Sequence, residues 1–160
     1  MGYMMEKISK SEKETEALGE RFMSEAIKTA DKKGALIFCL EGELGAGKTR
    51  LIKGMGRALG LGSIQSPTFT LMRKFKISKQ DLMRGEVSVR ELFFHVDCYR
   101  IEGPKDLEQI GLDKILRDPV AIVALEWADK IKDSVPKPYW DIRMEHYREG
   151  ERKINIQLHD

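Results

Sequence analysis

The segment Gly42-Glu43-Leu44-Gly45-Ala46-Gly47-Lys48-Thr49 matches the spacing G-x-x-x-x-G-K-[ST] at every fixed position. Glycines at these places let a backbone wrap an anion and turn its N–H groups inward, a shape that Cβ-bearing residues resist. The lysine of such a loop reaches the β- and γ-phosphates, and the hydroxyl after it holds Mg2+. Glu43, Leu44, Gly45, Ala46, Gly47, Lys48, Thr49 and Arg50 are therefore the candidate nucleotide-binding set, with Thr49 toward the metal. The spacing predicts a protein that binds a nucleoside triphosphate.

Hydrolysis needs more than a cradle. An acidic group near Mg2+ and a group that orients or deprotonates the nucleophile are required. Open α/β sheets bind ligands at the carboxyl ends of their strands, so acidic residues there are the candidates. Asp97 ends the apolar run Leu92-Phe-Phe-His-Val96, and Glu126 ends Val120-Ala-Ile-Val-Ala-Leu125. Each also fits an ordinary cap or turn, and spacing leaves open which of the two serves the metal. Thr68 follows the loop helix on a proline-stiffened segment, where a hydroxyl senses a γ-phosphate in switch proteins. The residues alone favour a plain Ser/Thr turn there. Trp127 reads equally as a packed strand edge or as a nucleotide or partner contact. His95 falls on the same strand face as Asp97, to orient that carboxylate or simply to pack. His146 and His159 have no companions at ligand spacing, so no histidine metal site is expected.

The elements that must position these groups follow from pattern. Ala35 to Glu41 is an apolar run of strand length, and Thr49 to Leu59 carries Leu51, Ile52, Met55, Ala58 and Leu59 at helical spacing before Gly60. Ser11-Glu-Lys-Glu14 is a capping-box pattern that opens a helix to Ala30, with Leu18, Phe22, Ala26 or Ile27, and Ala30 on its buried stripe. Phe69 to Ile77 and Val87 to Asp97 read as paired strands around a polar turn at 78–85. Lys105 to Arg117 predicts one or two short helices broken near Gly111, and a short helix runs to Ser134. Trp140-Ile142-Met144 and Ile154-Ile156-Leu158 alternate as a hairpin about 148–152. Continuous apolar strands between helices predict an α/β fold of the P-loop NTPase type: three layers, a mixed and centrally parallel sheet flanked by helices, and a C-terminal hairpin.

Composition bounds the remainder. A chain of 160 residues is expected to form one domain, 1–160. No run of 18 apolar residues predicts a membrane span, and Met-Gly-Tyr-Met-Met-Glu lacks the apolar core of a secretory signal, so a cytoplasmic protein is expected. Cys39 and Cys98 belong to different elements and are not expected to pair. A net charge of +2 is too small to announce nucleic-acid binding. Charged residues reach 34% while asparagine occurs once, at Asn155. That is a thermophile pattern as well as a soluble surface, and a melting temperature below about 60 °C would remove the first reading.

Four motifs in order, Gly42–Thr49, Ser66-Pro-Thr-Phe69, His95-Val-Asp-Cys-Tyr-Arg100 and Leu125-Glu-Trp127, resemble the TsaE family of small bacterial ATPases. The resemblance runs from Ile8 to Leu158. It implies ATP/ADP and Mg2+ as cofactors, and partnership with the TsaB and TsaD proteins, which modify adenosine 37 of tRNA with a threonylcarbamoyl group. Contact with tRNA would be indirect, through that complex, and the ATPase would reset the complex between rounds. By motif, Lys48 and Thr49 serve phosphates and Mg2+, Glu126 serves the metal, Asp97 belongs to the hydrolytic step, Thr68 to the switch-like segment, and Trp127 is functional. Ser11 to Thr15 would lie near the adenine. The stretch between Phe75 and Leu92 is longer than the family hairpin and basic (Lys76, Lys79, Arg84, Arg90), either a solvated tip or a contact with partner or tRNA.

Other classes compete. A small-molecule kinase needs an Arg-bearing lid, but Arg100, Arg117 and Arg143 are scattered. A GTP switch would place its guanine-reading element late, whereas Ser78-Lys79-Gln80-Asp81 precedes both acidic candidates. A scaffold that binds nucleotide without turnover fits the residues equally. No arginine finger is evident beside the loop, which predicts slow hydrolysis by the chain alone.

Overall fold

The computed structural model describes residues 2–67, 71–78 and 90–160. Its strands are β1 (Met4–Ser9), β2 (Leu36–Gly42), β3 (Met72–Lys76), β4 (Leu92–Asp97), β5 (Ala121–Glu126), β6 (Tyr139–His146) and β7 (Arg152–His159). The helices are α1 (Glu12–Thr29), α2 (Lys48–Ala58), α3 (Pro104–Gln109) and α4 (Leu112–Ile115). The strands form one sheet in the order β1-β7-β6-β2-β5-β4-β3. The run β6-β2-β5-β4 is parallel, and β1, β7 and β3 add antiparallel pairings at the two edges. This is the mixed, centrally parallel sheet that the apolar strand pattern predicts. Strand β6 does more than the hairpin expected of it, because it also pairs in parallel with β2.

Period-two alternation sends the strand side chains to two cores. Phe38, Leu40, Phe93, Ile122, Ile142 and Ile154 meet α1 and α2 on one face. Ile37, Cys39, Val96, Val123 and Leu125 meet α3, α4 and the 3-10 turns Ala128–Lys130 and Lys132–Ser134 on the other. Both cysteines are buried and free, and burial pushes the Cys98 thiol up to about 12.

Helix α1 begins where the capping pattern places it. Ser11 is the N-cap, its Oγ accepts from the Glu14 N–H, and Glu14 Oε2 accepts from the Lys10 N–H at 2.7 Å. Helices α1 and α2 touch backbone to backbone. A Cβ on Gly54 would lie 1.9 Å from the Glu16 carbonyl oxygen, and one on Gly19 would lie 2.2 Å from that of Leu51. Glu16 then clamps the pair, accepting from Arg50 at 3.0 Å and from Arg57.

Two sequence expectations change. Strand β1 was not anticipated: it exposes most of its side chains and is held by its backbone ladder to β7, so no apolar alternation marks it. The basic segment loses Arg90 as a docking charge. Its side chain is buried and donates to the carbonyls of Asp31, Gly34 and Pro119. Lys76 is exposed at the end of β3, while Lys79 and Arg84 lie outside the described residues. No helix among the described residues is long and apolar enough to cross a membrane.

Candidate functional site

Strand β2 runs straight into the glycine loop, and α2 starts at Lys48 with Gly47 as its N-cap. Gly42, Gly45 and Gly47 have φ of 152°, 79° and 100°. Those values fall in the range that L side chains rarely adopt, so the pattern is a backbone requirement here. Leu44 at the loop tip is exposed, Ala46 is buried, and the loop is closed by Ala46 N–H donating to the Glu43 carbonyl at 3.0 Å.

The carboxyl ends of β4 and β5 lie directly alongside, with Asp97 and Glu126 opposite each other in the ladder. Thr49 Oγ1 donates to Glu126 Oε1 at 3.0 Å, joining the first turn of α2 to the end of β5. The other oxygen of Glu126 meets His95 Nε2 at 3.2 Å. Burial pushes the Glu126 carboxyl up, but the His95 and Thr49 bonds and the nearby Lys48 ammonium outweigh it, so it titrates below its ordinary value. His95 thus orients a carboxylate, but that of Glu126 on the neighbouring strand and not that of Asp97. Asp97 spends Oδ1 on the Tyr99 N–H at 3.0 Å, which is the turn role, and remains half-buried beside the site.

Lys48 is folded onto the loop, donating to the Gly42 carbonyl and, at 3.3 Å, to that of Glu43. Burial draws its pKa down, against the pull of Glu126, Asp97 and Asp129. Its ammonium lies 4.2 Å from the centre of the Trp127 ring. Trp127 has φ 57°, the one positive value outside glycine among the described residues. A bulky residue held there costs energy and is concentrated at functional sites. Tyr99 packs edge-on to Trp127 at 5.2 Å and is itself exposed. Trp127 also packs against the core on the α3–α4 face, so the strand-edge reading and the nucleotide or partner reading both have support.

Ser11, Thr15 and Arg50 sit on the α1 side of the loop. Ser11 Oγ is used by the helix cap, and Thr15 is fully buried with its hydroxyl 2.7 Å from Ser9 Oγ. Arg50, in the first turn of α2, makes ion pairs with Glu12 and Glu16 at 3.1 and 3.0 Å, so its side chain is turned toward α1. Thr68 lies outside the described residues. Sequence reasoning found no arginine beside the loop, yet the fold brings one there. Arg152 at the start of β7 lies against Gly47, where a Cβ would meet its Cδ and Nε at 2.9 Å. It is separated from the loop by more than 100 residues, and only the pairing of β7 with β6 and β1 reveals it. A second unanticipated group is an ionic cluster behind the loop, in which Lys132 donates to Glu41 and, at 2.9 Å, to buried Asp141.

The residues fit the groups the loop implies. A backbone cradle that side chains cannot enter, a lysine and a threonine hydroxyl suit a polyphosphate, and paired hydroxyl and carboxylate oxygens suit Mg2+, a hard cation.

Fold and loop together define a class, the three-layer α/β proteins of the P-loop NTPase type. Comparison with known proteins narrows it. The family model described as threonylcarbamoyl adenosine biosynthesis protein TsaE matches residues 9–154. The chain is 29% identical over 142 residues to the tRNA threonylcarbamoyladenosine biosynthesis protein TsaE of Haemophilus influenzae (strain ATCC 51907 / DSM 11121 / KW20 / Rd), covering 88% of this chain and 79% of that one. It is 30% identical over 161 aligned positions to the protein of the same name from Aquifex aeolicus (strain VF5), covering 98% of each. The crystal structure of YdiB from Bacillus subtilis superposes with a TM-score of 0.71 at 25% identity, over 99% of this chain and 87% of that one. The chain belongs to the TsaE family.

Proposed function

We propose that this chain is a Mg2+-dependent ATPase that works with the TsaB–TsaD pair in threonylcarbamoyladenosine modification of tRNA position 37, hydrolysing ATP to reset that complex between turnovers. The observation that carries the reading is the Thr49–Glu126 bond at 3.0 Å across the mouth of the glycine loop. It joins the hydroxyl and carboxylate that a triphosphate–metal pair needs to the same few ångströms as Lys48.

Each residue has a task in that reaction. The loop N–H groups from Gly45 to Thr49 bind the phosphates, and Lys48 exchanges its bonds to the Gly42 and Glu43 carbonyls for phosphate oxygens. Thr49 and Glu126 would hold Mg2+, which when bound neutralises charge on the β- and γ-phosphates. His95 fixes the Glu126 carboxylate from the side away from Thr49. Asp97, half-buried and opposite Glu126, is placed to orient the attacking water. Trp127, with Tyr99 packed edge-on against it, lines the Lys48 side. A kinase reading is weakened by where its arginines lie, because Arg117 bonds the Asp113 carbonyl and Arg143 faces Glu41 and Asp141.

The test is steady-state ATP hydrolysis, with GTP as control, for the wild type, Lys48→Ala and Glu126→Ala, with and without the TsaB–TsaD pair and tRNA. Slow hydrolysis that requires Lys48 and rises with the partners is expected. Phosphoryl transfer to a small acceptor, without response to the partners, would overturn the reading.

A further inference from the structure

Arg152 is a cation with unused bonding capacity, placed against a loop built for anions. Its Nε is buried and has no hydrogen-bond partner. Its Nη1 makes one long contact, 3.5 Å to Thr15 Oγ1. Among the described residues no carboxylate pairs with it, whereas the next residue, Lys153, reaches Glu6 at 3.4 Å. A buried donor left without a partner costs free energy, and an anion supplied from outside relieves that cost.

Position says which anion. The Arg152 stem lies against Gly47, with the Cζ 3.3 Å from where a Cβ on that glycine would sit. Its register partners are His146 at the end of β6 and Ser9 at the end of β1, so it stands at the end of the sheet from which the loop leaves β2. Thr15 lies beyond it on α1. Lys48 occupies the other flank, its ammonium folded onto the Gly42 and Glu43 carbonyls beside the Trp127 ring. The two cations therefore face the two ends of one cradle. Lys48 belongs to the β- and γ-phosphates, and the end nearer α1 is left to Arg152.

We propose that Arg152 binds the nucleotide at the α–β end of its phosphate chain, donating through its guanidinium to oxygens that ATP and ADP share. The inference rests on the nucleotide-binding reading above. Arginine suits the place, since its planar fork bonds phosphate with fixed geometry. The contact is made equally before and after hydrolysis, so it holds the nucleotide without favouring the transition state. Arg152 is in this respect the opposite of an arginine finger.

The experiment is calorimetric titration of ADP, and of ATP under single-turnover conditions, into the full chain and its variants. Arg152→Ala should weaken ADP and ATP about equally, by roughly tenfold, while kcat stays within about twofold. Arg152→Met keeps the aliphatic stem beside Gly47 and should show the same loss, which guards against a packing defect. A melting curve without nucleotide reads the fold of each variant directly. Unchanged ADP affinity in a folded Arg152→Met would overturn the proposal. So would a collapse of kcat at unchanged ADP affinity, which would make Arg152 a γ-phosphate group. A wild-type chain that takes up no ADP would overturn the nucleotide reading together with this one, so the two failures are distinguishable.

Discussion

The two flanks of the phosphate loop are built from different materials. On the β4–β5 flank, acidic groups are paired and pinned: Glu126 is held by Thr49 at 3.0 Å and by His95 at 3.2 Å, with Lys48 stacked over Trp127. On the α1–hairpin flank, a cation is left with spare donors: Arg152 Nε has no partner and Nη1 only a 3.5 Å contact. The first flank is pre-organised around the Glu126 carboxylate, as a site that must stabilise developing charge should be, with the far ring nitrogen of His95, Nδ1, buried and unpartnered. The second keeps guanidinium donors free that a bound anion would engage. On the proposed reading, chemistry falls to the Glu126 flank and retention of the nucleotide to the Arg152 flank.

The sharpest way to break this division is Lys48→Ala. On the proposed reading its ammonium serves the reacting phosphates, so hydrolysis should fall by about 10²–10³, read as single-turnover phosphate release. A loss no greater than that of Arg152→Ala would erase the distinction between flanks. Next comes His95→Leu, which frees one oxygen of Glu126. The Mg2+ concentration for half-maximal hydrolysis should rise about 10–100-fold. His95→Gln places an amide near the Nε2 position and should recover most of it, whereas a purely structural role for His95 would leave the metal titration unmoved and lower only the melting temperature.

Legibility in the sequence followed the same division. The loop could be read because its requirement is local: glycines with φ of 152°, 79° and 100° must be written at fixed places. Asp97 and Glu126 could be read because an apolar strand ends in each. The bond from His95 to Glu126 could not, since it depends on β4 lying beside β5 in a register that places Asp97 opposite Glu126. Arg152 was invisible for the same reason, its approach to Gly47 arising through a hairpin far along the chain. Arg90 was misjudged because charge in sequence suggests surface, and four backbone carbonyls near it satisfy that charge inside. Strand β1 carried no apolar alternation, and its ladder to β7 alone defines it.

Both flanks depend on α1 and α2 keeping their contact, and Gly54→Ala tests that. The new Cβ would fall 1.9 Å from the Glu16 carbonyl oxygen, which is backbone and cannot swing aside. A loss of about 1–3 kcal/mol is expected in denaturant unfolding, with a melting temperature several degrees lower. Unchanged stability would mean that the helices are not packed this closely.

The smallest effect concerns acid. Arg50 first, against some cost of burial, and then Arg57 lower the Glu16 carboxyl below its ordinary 4.5. A depressed carboxylate stabilises the fold above its unfolded value and loses that stabilisation as pH falls through its folded one. Glu16→Gln should therefore flatten the decline of stability below about pH 4.5, by less than about 1 kcal/mol because both guanidiniums are partly exposed.

The division between flanks is tested most directly by ADP affinity measured with and without Mg2+ for the wild type, Glu126→Gln, Arg152→Met and the double variant. Glu126→Gln should abolish the gain from Mg2+ and leave metal-free binding intact, Arg152→Met should weaken metal-free binding and keep the gain, and the double variant should show the sum. Loss of both properties in either single variant would contradict the account, because the two flanks would then be one site.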